Sequence, residues 1–185
     1  MRQSINSKWI ALIVVAVFLL FWLIGWYWSF APATYDVNKR VAQQTSVANP
    51  ANIAGYTLTS TMIEVSETLL DKPGGYLSND VIPPGVFLDN MPSFEFGVLE
   101  MIRDLALSMR KDFSRSQSQS IENPYLTKAH PKFNMDHRSW MFPSSESSYR
   151  DGITLLKQYR DALADPQNGD SQFYTRADNL REWLK

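Results

Sequence analysis

Twenty consecutive residues from Trp9 to Trp28 carry no charge, and this run constrains the chain more than any other feature. As an α-helix rising about 1.5 Å per residue, the run would be about 30 Å long, the thickness of a bilayer's hydrocarbon core. Its ends are rich in tryptophan, which favours the membrane–water interface. The run therefore predicts a transmembrane anchor over residues 9–30. The residues assigned to this anchor are Trp9, Phe18, Trp22, Trp26 and Trp28.

Two basic residues set the predicted orientation of the anchor. Arg2 and Lys8 are the only charged side chains before it, and no acidic residue occurs before Asp36. Because positively charged flanks stay in the cytoplasm, residues 1–8 are predicted to be cytoplasmic and the main domain to lie across the membrane.

A cleaved secretory signal is the alternative interpretation of this segment. Ala31-Pro32-Ala33 resembles a small-residue cleavage site. Signal cores usually contain about 7–15 apolar residues, whereas this run is longer and rich in tryptophan, which favours an uncleaved anchor. Both interpretations export the main domain.

Composition excludes several classes of protein. The 185 residues include 18 basic and 19 acidic side chains, a net charge of -1, which argues against nucleic-acid binding. With 0 cysteines, the chain has no disulfide scaffold, thiol nucleophile or cysteine metal site. Its length suits one domain beyond the anchor.

Beyond the anchor, residues 31–55 lack a clear apolar period and contain Pro32 and Pro50, so they are predicted to form a linker. Residues 56–185 are predicted to form one helical domain. Apolar residues recur at helical spacing in four stretches. These stretches cover residues 58–69, residues 93–113 with Ser93 as N-cap, residues 144–163 with Ser144 or Ser145 as cap, and residues 171–184 with Asp170 as cap.

No segment alternates convincingly between apolar and polar residues, so the fold class is all-α: one transmembrane helix, then about four helices with long irregular loops. Pro73, Gly74 and Gly75 end the first helix, and Gly75 is expected to adopt a positive φ. The apolar residues 81–88 contain two prolines and are predicted to form a loop packed on the core.

Three combinations of residues suggest catalytic or metal chemistry. Ser108 and Lys111 have the spacing of the Ser-x-x-Lys motif, but Ser108 lies near a predicted helix end and the fold lacks the strands of such enzymes. His130 and His137 are too few for a zinc site, and Pro131 is expected to bar a regular helix at His130.

Asp80 and Asp89 form the third combination. They flank the Pro-Pro-Gly turn and could pair for acid–base work. Turns and helix caps also select Asp, so structural roles are the competing interpretation.

Four strings carry a resemblance to a known family: DKPGGYLSNDVIPPGVFLDNMPSFEFGVLEMIRD (residues 71–104), DFSRSQSQS (112–120), PSSESSYRDGI (143–153) and DNLREWL (178–184). They resemble the proteobacterial uncharacterised membrane-protein family known as domain of unknown function 2333. The resemblance implies a single-anchor protein of the inner membrane of Gram-negative bacteria. It implies no activity and no catalytic residue.

The sequence thus predicts a non-enzymatic interaction or scaffold module of the cell envelope, with the lipid bilayer and other envelope proteins or a second copy as partners and with no cofactor. The alternative is an envelope enzyme that acts on peptidoglycan or a lipid-linked substrate through loop carboxylates. The candidate interaction loop comprises Tyr76, Asp80, Pro83, Pro84, Phe87 and Asp89.

Overall fold

The computed structural model describes residues 7–47, 49–115, 121–168 and 171–184. These ranges contain seven α-helices and no strand, which confirms the all-α class. The helices are α1 (Ser7–Trp28), α2 (Val37–Gln44), α3 (Tyr56–Asp71), α4 (Asn90–Ser108), α5 (Pro124–Phe133), α6 (Ser145–Ala164) and α7 (Ala177–Trp183).

Helix α1 stands apart from the packed core. It contains 22 residues, and by length and apolar composition it is able to cross a membrane. A signal sequence near an N-terminus would satisfy the same criteria. Most of its apolar side chains are exposed, and Gly25 is its one buried residue.

Helix α6 lies at the centre of the domain, packed between α5 and α3, while α4 packs on α5. The buried faces follow the apolar periods of these helices, because side chains three and four residues apart share a face. The largest fully buried apolar side chains are Tyr56, Leu77, Leu99, Met109, Leu126, Phe133, Tyr149, Leu156 and Tyr159.

Helix α3 follows the predicted pattern, with Met62 and Leu69 buried. It ends before Pro73, and Gly74 and Gly75 have φ of +87° and +72°. The positive φ expected at Gly75 is therefore present. Of the two caps predicted for α6, Ser144 is the one present, since its side chain accepts a hydrogen bond from the Ser147 N–H.

Helix α4 begins earlier than predicted, at Asn90 rather than Ser93. Pro92 lies in its first turn, where a backbone N–H has no intrahelical acceptor and proline is tolerated. Helix α4 then continues into one π-helical turn, Met109–Phe113.

Helix α5 was not predicted, and the expectation that Pro131 bars a helix at His130 is wrong. The Asn123 side chain caps the first turn by accepting from two backbone N–H groups, 3.0 and 3.3 Å away. At the other end, Arg103 donates to the carbonyl oxygens of Phe133 and Met135, both at 2.8 Å. These caps and the burial of the apolar face outweigh the hydrogen bond that Pro131 removes.

The last helix begins at Ala177, not at residue 171, and the preceding described residues have no regular secondary structure. The Phe173 ring stacks on Phe113 with centroids 5.0 Å apart, and the Tyr174 N–H donates to the Phe113 carbonyl at 2.7 Å. The predicted cap Asp170 lies outside the described residues.

The segment predicted as a linker contains α2, which packs on α3. Arg40 forms an ion pair with Glu64 at 2.7 Å, and Val41 is buried. The Asp36 side chain caps α2 by accepting from the Lys39 N–H at 2.9 Å. A short helix has too few apolar positions to stand out in the sequence, so these contacts are visible only in the structure.

Candidate functional site: the loop edge beside α1

Residues 81–88 do not pack on the helical core, contrary to the sequence expectation. Val81, Ile82, Val86 and Phe87 are 53%, 71%, 49% and 77% exposed. The loop instead lies along α1, outside the core. The apolar character that suggested burial therefore marks a surface.

A groove of about 480 Å³ separates this loop from α1. At its closest approach a Cβ on Gly25 would lie 3.5 Å from the Pro84 Cβ, so the absent side chain lets the proline contact the helix. Trp22 on α1 and Phe87 on the loop both line this groove. The groove is lined by Phe18, Phe21, Trp22, Gly25, Trp26, Ser29, Pro84, Phe87 and Leu88.

A second apolar loop lies next to the first. Trp140 and Met141 are 57% and 60% exposed, and Phe142 is fully exposed. Trp140 shares a small cavity with Ile82 and with Trp28 at the end of α1. Residues 81–88 and 140–142 thus form one continuous apolar surface around the end of α1, called the loop edge below.

A buried carboxylate holds the start of the first loop. Glu95, on α4, accepts hydrogen bonds from the Leu77 N–H at 2.8 Å, the Ser78 N–H at 2.7 Å and the Ser78 hydroxyl at 2.6 Å. Its counter-ion is Lys72, which also donates to the Gly75 carbonyl oxygen. Both charged side chains are fully buried, so the loop leaves α3 from a fixed point.

A single amide joins the two loops of the edge. The Asn79 side chain donates to the Ser139 carbonyl at 2.9 Å and to the Glu146 carboxylate at 2.8 Å. Ser145 also donates its hydroxyl to the Ser139 carbonyl at 2.9 Å. The two loops are consequently held together at the N-terminus of α6.

A cleft of about 650 Å³ lies between the loop edge and α4. Ser78, Asp80, Ser93, His137 and Arg138 supply its polar side chains, and the centroid of the His137 ring lies 4.8 Å from that of Phe96. Burial, together with the negative charges of Glu95 and Glu146, raises the pKa of Asp80. This combination of a carboxyl group, an imidazole and a guanidinium can donate to an anion and accept from a cation.

The structure brings only part of the predicted interaction loop together. Asp80, Pro83, Pro84 and Phe87 lie on the first loop or the cleft behind it. Tyr76 is buried in the core, edge-to-face with Tyr149 at 5.6 Å.

Asp89 precedes α4, makes no side-chain cap hydrogen bond, and is not among the residues that line the cleft. Arg2 and Lys8 were predicted to set the orientation of the anchor. Lys8 lies in the first turn of α1, and Arg2 lies outside the described residues. Trp9 is at the opposite end of α1 from the loop edge.

Sequence reasoning missed the second loop, Gly25 and the Lys72–Glu95 pair. Three large apolar residues in a row before Pro143, in an otherwise polar stretch, were a usable signal for the loop. Gly25 was a usable signal too, because a lone glycine in an apolar helix often permits close packing. Nothing local distinguishes Glu95 from a surface glutamate.

The other candidate residues lie in separate places. The Nδ1 atom of His130, on α5, is 3.3 Å from an Arg110 guanidinium nitrogen. His130 does not line the cleft that His137 lines. Ser108 ends α4, and Lys111 lies in the π-helical turn. Among the described residues, no group of three or more His, Asp or Glu could hold a metal ion.

Comparison with known proteins agrees with the sequence resemblance. A family model described as uncharacterized protein conserved in bacteria (DUF2333) matches residues 2–185. No curated protein and no solved structure matches the chain. The match covers nearly the whole sequence, and the chain therefore belongs to the DUF2333 family.

Proposed function

We propose that this chain is a single-pass inner-membrane protein whose helical domain lies on the periplasmic side and acts as a non-enzymatic interaction module of the cell envelope. The orientation follows from Arg2 and Lys8, which favour a cytoplasmic N-terminus. The span is supported by the length and apolar composition of α1.

One observation carries the interaction role: α4 presents an uncovered apolar strip. Phe94 and Met101 are 41% and 60% exposed, and their spacing of seven residues places them on one helix face. Between them, a Cβ on Gly97 would have no neighbour within 4 Å. A flat apolar strip of this kind is typical of a surface that packs on another helix.

Photo-crosslinking in cells tests this role. A photoreactive phenylalanine analogue replaces Met101, and Asp161, 65% exposed on α6, serves as the matched control position. We expect a discrete crosslinked species from position 101 and none from 161. Equal labelling at both positions, or none at position 101, would contradict an interface on α4.

Reporter fusions test the topology. Alkaline phosphatase fused after Lys185 should be active, because the fusion point is then periplasmic. A fluorescent cytoplasmic reporter at the same point should be silent, and the reverse result would overturn the orientation.

The alternative is an envelope enzyme acting on peptidoglycan or a lipid-linked substrate, and one observation favours it. Asp80 lines a cleft beside the apolar loop edge, and its raised pKa suits a general acid. Asp80→Asn should then abolish function in cells at unchanged protein abundance. As an interaction module, the protein should retain function in this variant, with Asp89→Asn as the control.

A further inference from the structure

We propose that the loop edge inserts into the outer leaflet of the membrane that α1 spans, so that the domain lies on the bilayer surface rather than at the end of a tether. The partner of this surface is lipid. The inference rests on the proposed membrane span of α1 and adds a second, independent contact with the bilayer.

The depth of the first loop follows from its contacts with α1. The groove shared with Pro84, Phe87 and Leu88 reaches from Ser29 back to Phe18, roughly 16 Å along the helix axis. Trp26 and Trp28 mark the level of the interface, where tryptophan is favoured. Pro84 and Leu88 approach α1 at Gly25, just below Trp26, and the groove that they line continues down to Phe18, so this side of the loop faces the acyl chains.

The chemistry of the loops suits this depth. Neither residues 81–88 nor residues 140–142 include a charge, and the nearest charged residues along the chain, Asp80, Asp89 and Arg138, lie just outside the two segments. The exposed side chains are large and apolar, with Phe87 at 77% and Phe142 fully exposed. A water-facing loop would not concentrate such residues on one side of a domain.

The backbone of the first loop is also compatible with lipid, which cannot satisfy free N–H groups. Pro83 and Pro84 have no N–H to satisfy. Three N–H groups after Gly85 bond within the loop: Val86 to the Ile82 carbonyl at 3.3 Å, Phe87 to Pro84 at 3.0 Å and Leu88 to Gly85 at 3.0 Å. The tip of the loop therefore presents few unpaired donors to the bilayer.

The absence of cysteine permits a direct measurement of depth. Single cysteines replace Ile82, Phe87 and Phe142 in the full chain, which is labelled with an environment-sensitive fluorophore and reconstituted alone in phospholipid vesicles. Trp22→Cys on α1 reports the span. Asp161→Cys on α6 is the solvent control, since its side chain is 65% exposed.

We expect a blue shift at the three loop positions and a loss of emission when lipids with a nitroxide near the headgroup are included. Position 161 should show neither effect. Water-like emission at all three loop positions, with Trp22→Cys still quenched, would overturn the insertion while leaving the span intact. Emission that is blue-shifted but not quenched would indicate cover by a second copy and would also overturn it. Loss of quenching at position 22 would overturn the span and the insertion together.

Discussion

Lys72 and Glu95 form an ion pair in which the two side chains are 1% and 0% exposed. Glu95 also accepts from the backbone N–H groups of Leu77 and Ser78, so its charge is satisfied on several sides. The pair thus joins the end of α3 to α4 at the point where the first apolar loop begins. Because both charges are buried, removing either side chain would leave the other without a counter-ion.

Glu95→Gln should lower the free energy of unfolding by about 3–5 kcal/mol, because it leaves the buried Lys72 ammonium without a counter-ion. Glu100→Gln is the matched control on the same helix. Glu100 is 47% exposed and pairs with Arg103, so this change should cost less than about 1 kcal/mol. Thermal unfolding of the reconstituted chain measures both, and equal effects would refute a special role for the buried pair.

Gly75→Val should destabilise the fold by about 1–3 kcal/mol through backbone strain, since φ at this residue is +72°. A steric clash would not cause this loss of stability, because the nearest heavy atom to a Cβ at position 75 would be the Leu70 carbonyl oxygen at 3.8 Å. Gly97→Ala is the opposite case. It lies within α4 with open space around it and should stabilise by about 0.5–1 kcal/mol. Denaturant titration should show the two changes in opposite directions.

The sequence was sufficient to predict a helix where that helix carried its own apolar period and its own start or stop signals. The pattern of α3, its exit at Gly74 and Gly75, and the Ser144 cap of α6 are local features, and each was predicted. The helix at Pro124–Phe133 was missed because Pro131 argued against it, and because one of its caps, Arg103, belongs to another helix.

The candidate site was predicted in part for a related reason. Apolar residues 81–88 stood out in the sequence, but whether they faced the core or the outside depends on what else is nearby. Gly25, some 60 positions earlier in the chain, lets Pro84 contact α1, and the loop lies beside that helix rather than on the core. A contact between residues so far apart in the chain produces no repeating pattern of apolar residues in either segment.

Asp80 should make the stability of the domain depend on pH. Burial, with Glu95 and Glu146 nearby, raises the pKa of this carboxyl above its ordinary 3.8 in the folded state. Between these two values the folded protein binds more protons than the unfolded one, so stability falls as pH rises through that window. Asp80→Asn should therefore be more stable than wild type at pH 7.

The gain in Asp80→Asn should shrink as the pH falls to 3.8 and below, because the wild-type carboxyl becomes protonated first in the folded state and then in the unfolded state. Asp89→Asn is the control, since this exposed residue makes no side-chain cap hydrogen bond. Unfolding curves collected across the acid range supply the measurement. A gain that persists unchanged below the ordinary value would rule out a titration effect.

Gly25→Leu should separate the first loop from α1. A Cβ at this position already lies at van der Waals distance, 3.5 Å from Pro84 and 3.7 Å from Leu88, so the remaining atoms of leucine have no room unless the loop moves.

Crosslinking measures this separation. Trp22 lines the groove from α1 and Phe87 lines it from the loop, so the cysteines of a Trp22→Cys, Phe87→Cys double variant should be joined by a short thiol crosslinker. Adding Gly25→Leu should abolish the crosslink. Gly97→Ala in the same cysteine background should leave the crosslink intact, because Gly97 does not line the groove and a Cβ there would have no neighbour within 4 Å. Persistence of the crosslink in the leucine variant would mean that the loop tolerates a side chain at position 25 and that the glycine does not govern the approach.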